Sequence, residues 1–243
     1  METLKNLEKE LDFSYPPLYH KLYSDGMLKP CVVNEGTTIG EFELGTNASL
    51  SAKLKNQHGT IPFLSAISTI RVLPVEQIRY RLTESYIGEN IDRAHMLIPF
   101  AVDSAGAWFA FSFKLQQNND VSIAIVWDDC DEATVVAKSL EDFIALRLLE
   151  AAALFYSDEP LEQRRKELQE MLVTHTPYMN PHHVKLLIEV YKRAFFSTFH
   201  QASKHYSYTS WHLIGKDELT ALTKELLSFK LMGKTFRWLR EES

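Results

Sequence analysis

Glycine and cysteine are scarce in this 243-residue chain, which has nine of the first and two of the second. Few glycines leave little scope for bringing backbone N–H groups close to a phosphate, and no glycine-rich phosphate loop is present. Cys31 and Cys130 lie far apart with no paired spacing. That spacing suggests neither a disulfide framework nor a cysteine-rich metal site, and free thiols in a reducing compartment are expected. Long apolar runs are missing too. Residues 143 to 156 form the most apolar stretch, but Arg147 and Glu150 interrupt it and it falls short of the roughly 20 residues that span a bilayer. The N-terminus mixes both charge signs and lacks the basic start and apolar run of a secretory signal, so a cytoplasmic protein without membrane contact is expected.

Positive charge is short in the first part of the chain. Residues 1 to 150 carry 13 Lys and Arg against 21 Asp and Glu, a balance of −8, whereas residues 151 to 243 carry 13 against 11, a balance of +2. An acidic surface repels phosphate backbones and attracts cationic partners. A nucleic-acid partner is therefore not expected. Catalytic signatures are missing as well: there is no Gly-x-Ser-x-Gly, no His-Glu-x-x-His and no calcium loop of the EF-hand kind. Neither an enzyme nor a cofactor is expected, although a catalytic site assembled from residues far apart in sequence stays open as an alternative.

What the chain does contain is patterned apolar sequence. Leu4, Leu7 and Leu11 recur at helical spacing, and a second short helix should start at Pro16-Pro17, carry Leu18, Leu22 and Tyr23 on one side, and end at Gly26. Residues 37 to 44 alternate as a half-buried strand, and residues 45 to 62 read as an exposed connection. A turn into a helix fits residues 73 to 78. The clearest signal is a hairpin. Phe109, Phe111, Phe113 and Leu115 share one face and should be core, Val121, Ile123, Ile125 and Trp127 share a face of the next strand, and residues 116 to 120 supply the loop. Ser139, three residues before Asp142, is a capping hydroxyl for a helix running to about residue 155. Beyond residue 158 the spacing predicts helices over 161–172, 184–199 and 219–239 with no comparable alternation. The expected organisation is an α+β domain at 1–157, its central sheet mostly antiparallel and packed by helices, followed by an all-helical extension at 158–243.

The order of these pieces resembles the SMI1/KNR4, or SUKH, family over about residues 1 to 150. The likeness rests on three segments. The first is the proline-started helix of residues 15 to 26, closed by Ser24-Asp25-Gly26. The second is the strand, Asp-x-x-Gly turn and strand of residues 97 to 109, with Asp103 and Gly106 at the turn. The third is Trp127-Asp128-Asp129 followed by the helix that opens near Ser139 and Phe143. The resemblance implies a protein-binding role without catalysis. In bacteria it implies an immunity protein that occludes a toxin, often a nuclease; a regulatory scaffold of the fungal kind is the alternative.

The partner-facing candidates are Asp103, Trp108, Asp128, Asp129, Asp131 and Glu132. The acidic run at 128–132 is the densest in the chain, and charge complementarity with a cationic groove would speed association and exclude wrong partners. Its plain reading is a solvated loop. For Asp103 a turn-forming role is favoured. Trp108 stands on the opposite parity to Phe109, and a cover of tail helices over it is favoured over an exposed anchor. Six of the nine histidines fall after residue 174, but their spacing matches no metal motif and coincidence is favoured. Oligomeric state is not legible.

Overall fold

The structure is a computed structural model that describes residues 4–28, 63–64, 70–84, 96–103, 105–117, 120–127, 130–153, 160–204 and 206–239. The strand expected at 37–44, the connection at 45–62 and Cys31 lie outside the described residues. The chain divides into two compact units: Met1–Glu43, Thr69–Phe143 and Phe229–Ser243 form one, Leu44–Ser68 and Ile144–Ser228 the other. The division is thus discontinuous and does not follow a single cut at 157/158, because the last residues belong with the first unit.

The first unit is built on a six-stranded sheet in the order β1-β2-β3-β4-β5-β8, every neighbouring pair antiparallel. Its strands are β1 (Arg71–Val72), β2 (Leu97–Val102), β3 (Trp108–Gln117), β4 (Asp120–Val126), β5 (Glu132–Ala137) and β8 (Thr235–Arg237). Helices α1 (Leu4–Leu11), α2 (Pro17–Ser24) and α3 (Val75–Thr83) belong to the same unit. The expected hairpin is β3–β4, with Phe109 opposite Ile125 and Phe111 opposite Ile123. Gln117 pairs with Asp120, so the turn is tighter than the five-residue loop expected.

Phe111 is the centre of the core. Its ring lies 4.8 Å from Phe100, 5.3 Å from Tyr19 and 5.7 Å from Tyr15, all within the range where edge-on and offset aromatic pairs attract. Phe143, at the start of the next helix, closes the cluster against Phe100 and Phe109. Burial pushes the Tyr15 and Tyr19 phenols well above their ordinary pKa, because a phenolate would lose its water there. Phe113 and Leu115, expected in the core, are only half-buried toward the far end of β3. Trp127 departs further and is 37 % exposed. β4 ends at Val126, so the indole follows the last paired residue of its strand. The opposite face of the sheet is closed as well: Trp108, Ala110, Ser112, Ser122, Ala124 and Val126 are all buried.

Helix α4 (Leu140–Ala153) leads from the first unit into the second. Ser139 Oγ accepts the Asp142 N–H at 3.1 Å, the expected cap. The second unit then contains α5 (Leu161–His175), a short 3₁₀ turn at Thr176–Tyr178, α6 (Pro181–Tyr191), the hairpin β6 (Phe196–Ser203) with β7 (Tyr206–His212), and α7 (Lys216–Leu227). The C-terminal region therefore has helices but is not all-helical. The helix expected over 184–199 stops at Tyr191, and the one over 219–239 gives way to β8. Aromatic, Ser and Thr side chains dominate residues 196–199 and 206–211; these residue types sit poorly in helices and well on a pleated surface.

One buried histidine makes this unit acid-sensitive. His175 is fully buried, its Nδ1 bonded to the Met171 carbonyl at 2.9 Å and its Nε2 accepting the Leu64 N–H at 3.1 Å. Burial lowers its pKa to about 4, against a partial offset from the Met171 carbonyl. Both ring nitrogens are committed to the neutral form. The folded state therefore holds fewer protons than the unfolded one between about pH 6.5 and 4, and stability present above pH 6.5 drains away as pH falls through that window. The expected loss is about 3 kcal/mol by pH 4. Urea midpoints of the wild type and of His175→Gln, which cannot take up the proton, should converge as pH drops from 7 to 4. Parallel profiles would place the titration elsewhere.

Candidate interaction site at one end of the sheet

The register places the expected partner-facing residues at one end of the sheet. Val102, Trp108, Val126, Ala133 and Phe236 form one row across β2, β3, β4, β5 and β8. The 103–107 turn leaves this row on one side and the 127–131 connection leaves it on the other. Asp103, Trp108, Asp131 and Glu132 thus share an end of the sheet that sequence distance hides. Asp128 and Asp129 lie outside the described residues.

Asp103 is occupied by its own turn. Its Oδ1 accepts the N–H groups of Ala105 and Ala107, both at 2.9 Å, and Gly106 takes a φ of +91° that favours glycine. Trp108 is 1 % exposed and so offers no surface. Its cover was expected from tail helices, but within this unit the indole meets Trp238 edge-on at 5.5 Å. Trp238 follows β8, which the helical reading of 219–239 had concealed.

Trp238 also fixes the acidic connection. Its N–H bonds to the Asp131 carbonyl at 2.9 Å and its Nε1–H to the Cys130 carbonyl at 3.0 Å. The β5–β8 ladder begins further along, where Gly233, at a φ of +74°, donates to Val135 and Val135 donates to Lys234. Backbone bonds therefore run along the pair from Val135 to the loop. Asp131 Oδ2 sits 2.6 Å from Arg237 Nε, with the two side chains 42 % and 53 % exposed. Solvent screens a pair at that exposure, so it orients the carboxylate more than it stabilises the fold. Glu132 is exposed and stands opposite Arg237 in register. Cys130 is a free, exposed cysteine.

The arrangement is an acidic rim on a backbone held from the C-terminal strand, with Trp127 partly exposed beside it. It can present carboxylates to a cationic surface. Among the described residues no group of three or more His, Cys, Asp or Glu could hold a metal ion, and no helix among them is long and apolar enough to cross a membrane. Arg237 and Trp238 were missed in the sequence; the alternation of Phe236 and Trp238 within residues 235–238 was the available signal.

An antiparallel sheet packed by helices, with the β2–β3 and β4–β5 connections at one end, defines an α+β protein organised around that sheet. The family model for SMI1/KNR4 (SUKH-1) matches residues 1–146, more than half of the chain, and the protein belongs to that family. β8 lies outside the matched residues but completes the sheet. No curated protein and no solved structure matches the chain.

Proposed function

We propose that the protein is a non-catalytic immunity protein, acting in the cytoplasm, that neutralises a bacterial toxin by covering a cationic surface of it with the acidic end of the sheet. The observation that carries this reading is the half-exposed Asp131 beside the exposed Glu132, on backbone tied to Trp238. The family is generally non-catalytic. The balance of −8 over residues 1 to 150 adds long-range attraction toward a cationic partner. Asp131, held through its carbonyl by Trp238, also needs little ordering on binding, and so keeps more of its interaction energy.

The test is affinity purification from the native host, followed by kinetics with the recovered partner. Replacing Asp128, Asp129, Asp131 and Glu132 with Asn or Gln should slow association about tenfold or more at low salt, because rim charges act chiefly on the on-rate. The deficit should shrink in high salt, where screening cuts the reach of exposed charge to a few ångströms. Unchanged association in a folded quadruple variant would remove the loop from the interface. Recovery of a resident regulatory protein in place of a toxin would assign the scaffold role.

A further inference from the structure

The hairpin of the second unit brings two histidines onto one hydroxyl. His200 lies on β6 and Ser210 and His212 on β7, and their register puts all three on the same face: Thr198 is opposite Ser210, His200 opposite Tyr208 and Phe196 opposite His212. Ser210 Oγ is 2.6 Å from His200 Nε2 and 2.9 Å from His212 Nε2, with the Thr198 carbonyl 3.5 Å away. His212 Nδ1 is bonded to the Ala153 carbonyl. A carbonyl can only accept, so Nδ1 carries the ring proton and the Nε2 lone pair is turned toward Ser210. That is the outer-sphere arrangement typical of a metal-ligating histidine, in which the second ring nitrogen donates to a backbone carbonyl and fixes the tautomer. Both imidazoles are further held by aromatic neighbours, His200 stacked on Tyr208 at 4.7 Å and His212 beside Phe196 at 5.2 Å.

We infer that His200, Ser210 and His212 form a binding site for a late first-row divalent ion, with Zn²⁺ the best fit. Donor atoms sharing one tetrahedral ion at bond lengths of about 2.0–2.1 Å lie roughly 3.3–3.4 Å apart, so the two hydrogen-bond spacings around Ser210 Oγ, 2.6 and 2.9 Å, have to open by about half an ångström as the ion replaces the shared protons. Two neutral imidazoles suit zinc, copper or nickel; magnesium and calcium need oxygen donors and negative charge that this trio lacks. His212 already presents its lone pair. His200 is only half-buried and has to move its proton to the other ring nitrogen, a tautomeric shift with no change in charge. Water completes the coordination from the His200 side, while Ser210 is buried. The ion would pin β6 to β7 and anchor the hairpin at the end of α4. The pair escapes a motif search because its members are twelve residues apart and meet only across the hairpin.

The test is a titration of the full chain with Zn²⁺, followed by histidine side-chain NMR. Two of the nine imidazoles should shift with saturable dependence on Zn²⁺, the melting temperature should rise with occupancy, and Mg²⁺ should do neither. His200→Ala, at a half-buried position, should weaken Zn²⁺ binding at least about tenfold; Ser210→Ala should keep both imidazoles and weaken binding less. Absence of saturable shifts up to about 1 mM Zn²⁺, shifts at other histidines only, or undiminished affinity in His200→Ala would each overturn the assignment. The wild-type NMR result stands even if a variant does not fold.

Discussion

Phe111→Ala should destabilise the protein by about 3 to 5 kcal/mol, the range for deleting a fully buried aromatic side chain. Phe111 is 0 % exposed and its ring touches the aromatic neighbourhood of Tyr15, Tyr19, Phe100 and Phe113. These neighbours come from different elements, with Tyr19 in α2, Phe100 in β2 and Phe113 further along β3. They cannot all move to fill the space, so the cavity term should add to the lost transfer energy. Phe113→Ala, at a half-buried site, should cost distinctly less. Equal denaturation midpoints for Phe111→Ala and the parent would show that the ring does not anchor the core.

That contrast marks where the sequence was readable. The alternation over residues 109–115 identified the strand and its core face, because a period of two is imposed by backbone geometry and needs no knowledge of the rest of the fold. It did not say how far along the strand the core extends. Phe113 and Leu115 obey the same parity as Phe111 but lie toward the end of the sheet where cover thins. Nor did it show that the other face is also buried. Trp108, Ala110 and Ser112, with Val126, Ala124 and Ser122 opposite them, read as a mixed face, yet all six are buried. The Ser139 cap was legible for a similar reason, being a local bond between a hydroxyl and an N–H three residues on. Strands β6, β7 and β8 were not. β6 and β7 lie in or next to segments whose apolar residues also fit a helical spacing, and β8 is only three residues long. Apolar residues at 219, 222, 226 and 227 set a helical period that extends in the sequence to Leu239, whereas α7 ends at Leu227.

The candidate site shows the same limit. The acidic run was visible as composition, and the turn role of Asp103 followed from Asp-x-x-Gly chemistry. The residues that fix the loop come from about 106 positions away, and only the β5–β8 register brings Arg237 beside Asp131 and Glu132. Alternation within a strand marks its two faces but not the distant strand it pairs with.

Trp238→Ala should therefore be the most informative single change at the C-terminus, with an expected cost of about 3 to 5 kcal/mol. The side chain is 1 % exposed, packs edge-on against Trp108, and holds the Cys130 carbonyl through its indole N–H. Trp238→Phe separates these roles. It keeps most of the packing and removes the N–H, so it should cost nearer 1 kcal/mol and act mainly on the acidic loop. Partner association should slow modestly in Trp238→Phe even where the fold is intact, since Cys130 loses its tether beside Asp131 while the backbone N–H of residue 238 still holds the Asp131 carbonyl. Deleting residues 229–243 goes further by stripping β8 from β5 and uncovering Trp108 together. Although these residues lie beyond the 1–146 family match, the shortened chain should unfold at much lower denaturant than the full one and expose indole to quencher. Matching midpoints for the full and shortened chains would mean that the sheet is complete without its last strand, and that Trp238 covers Trp108 without supporting it.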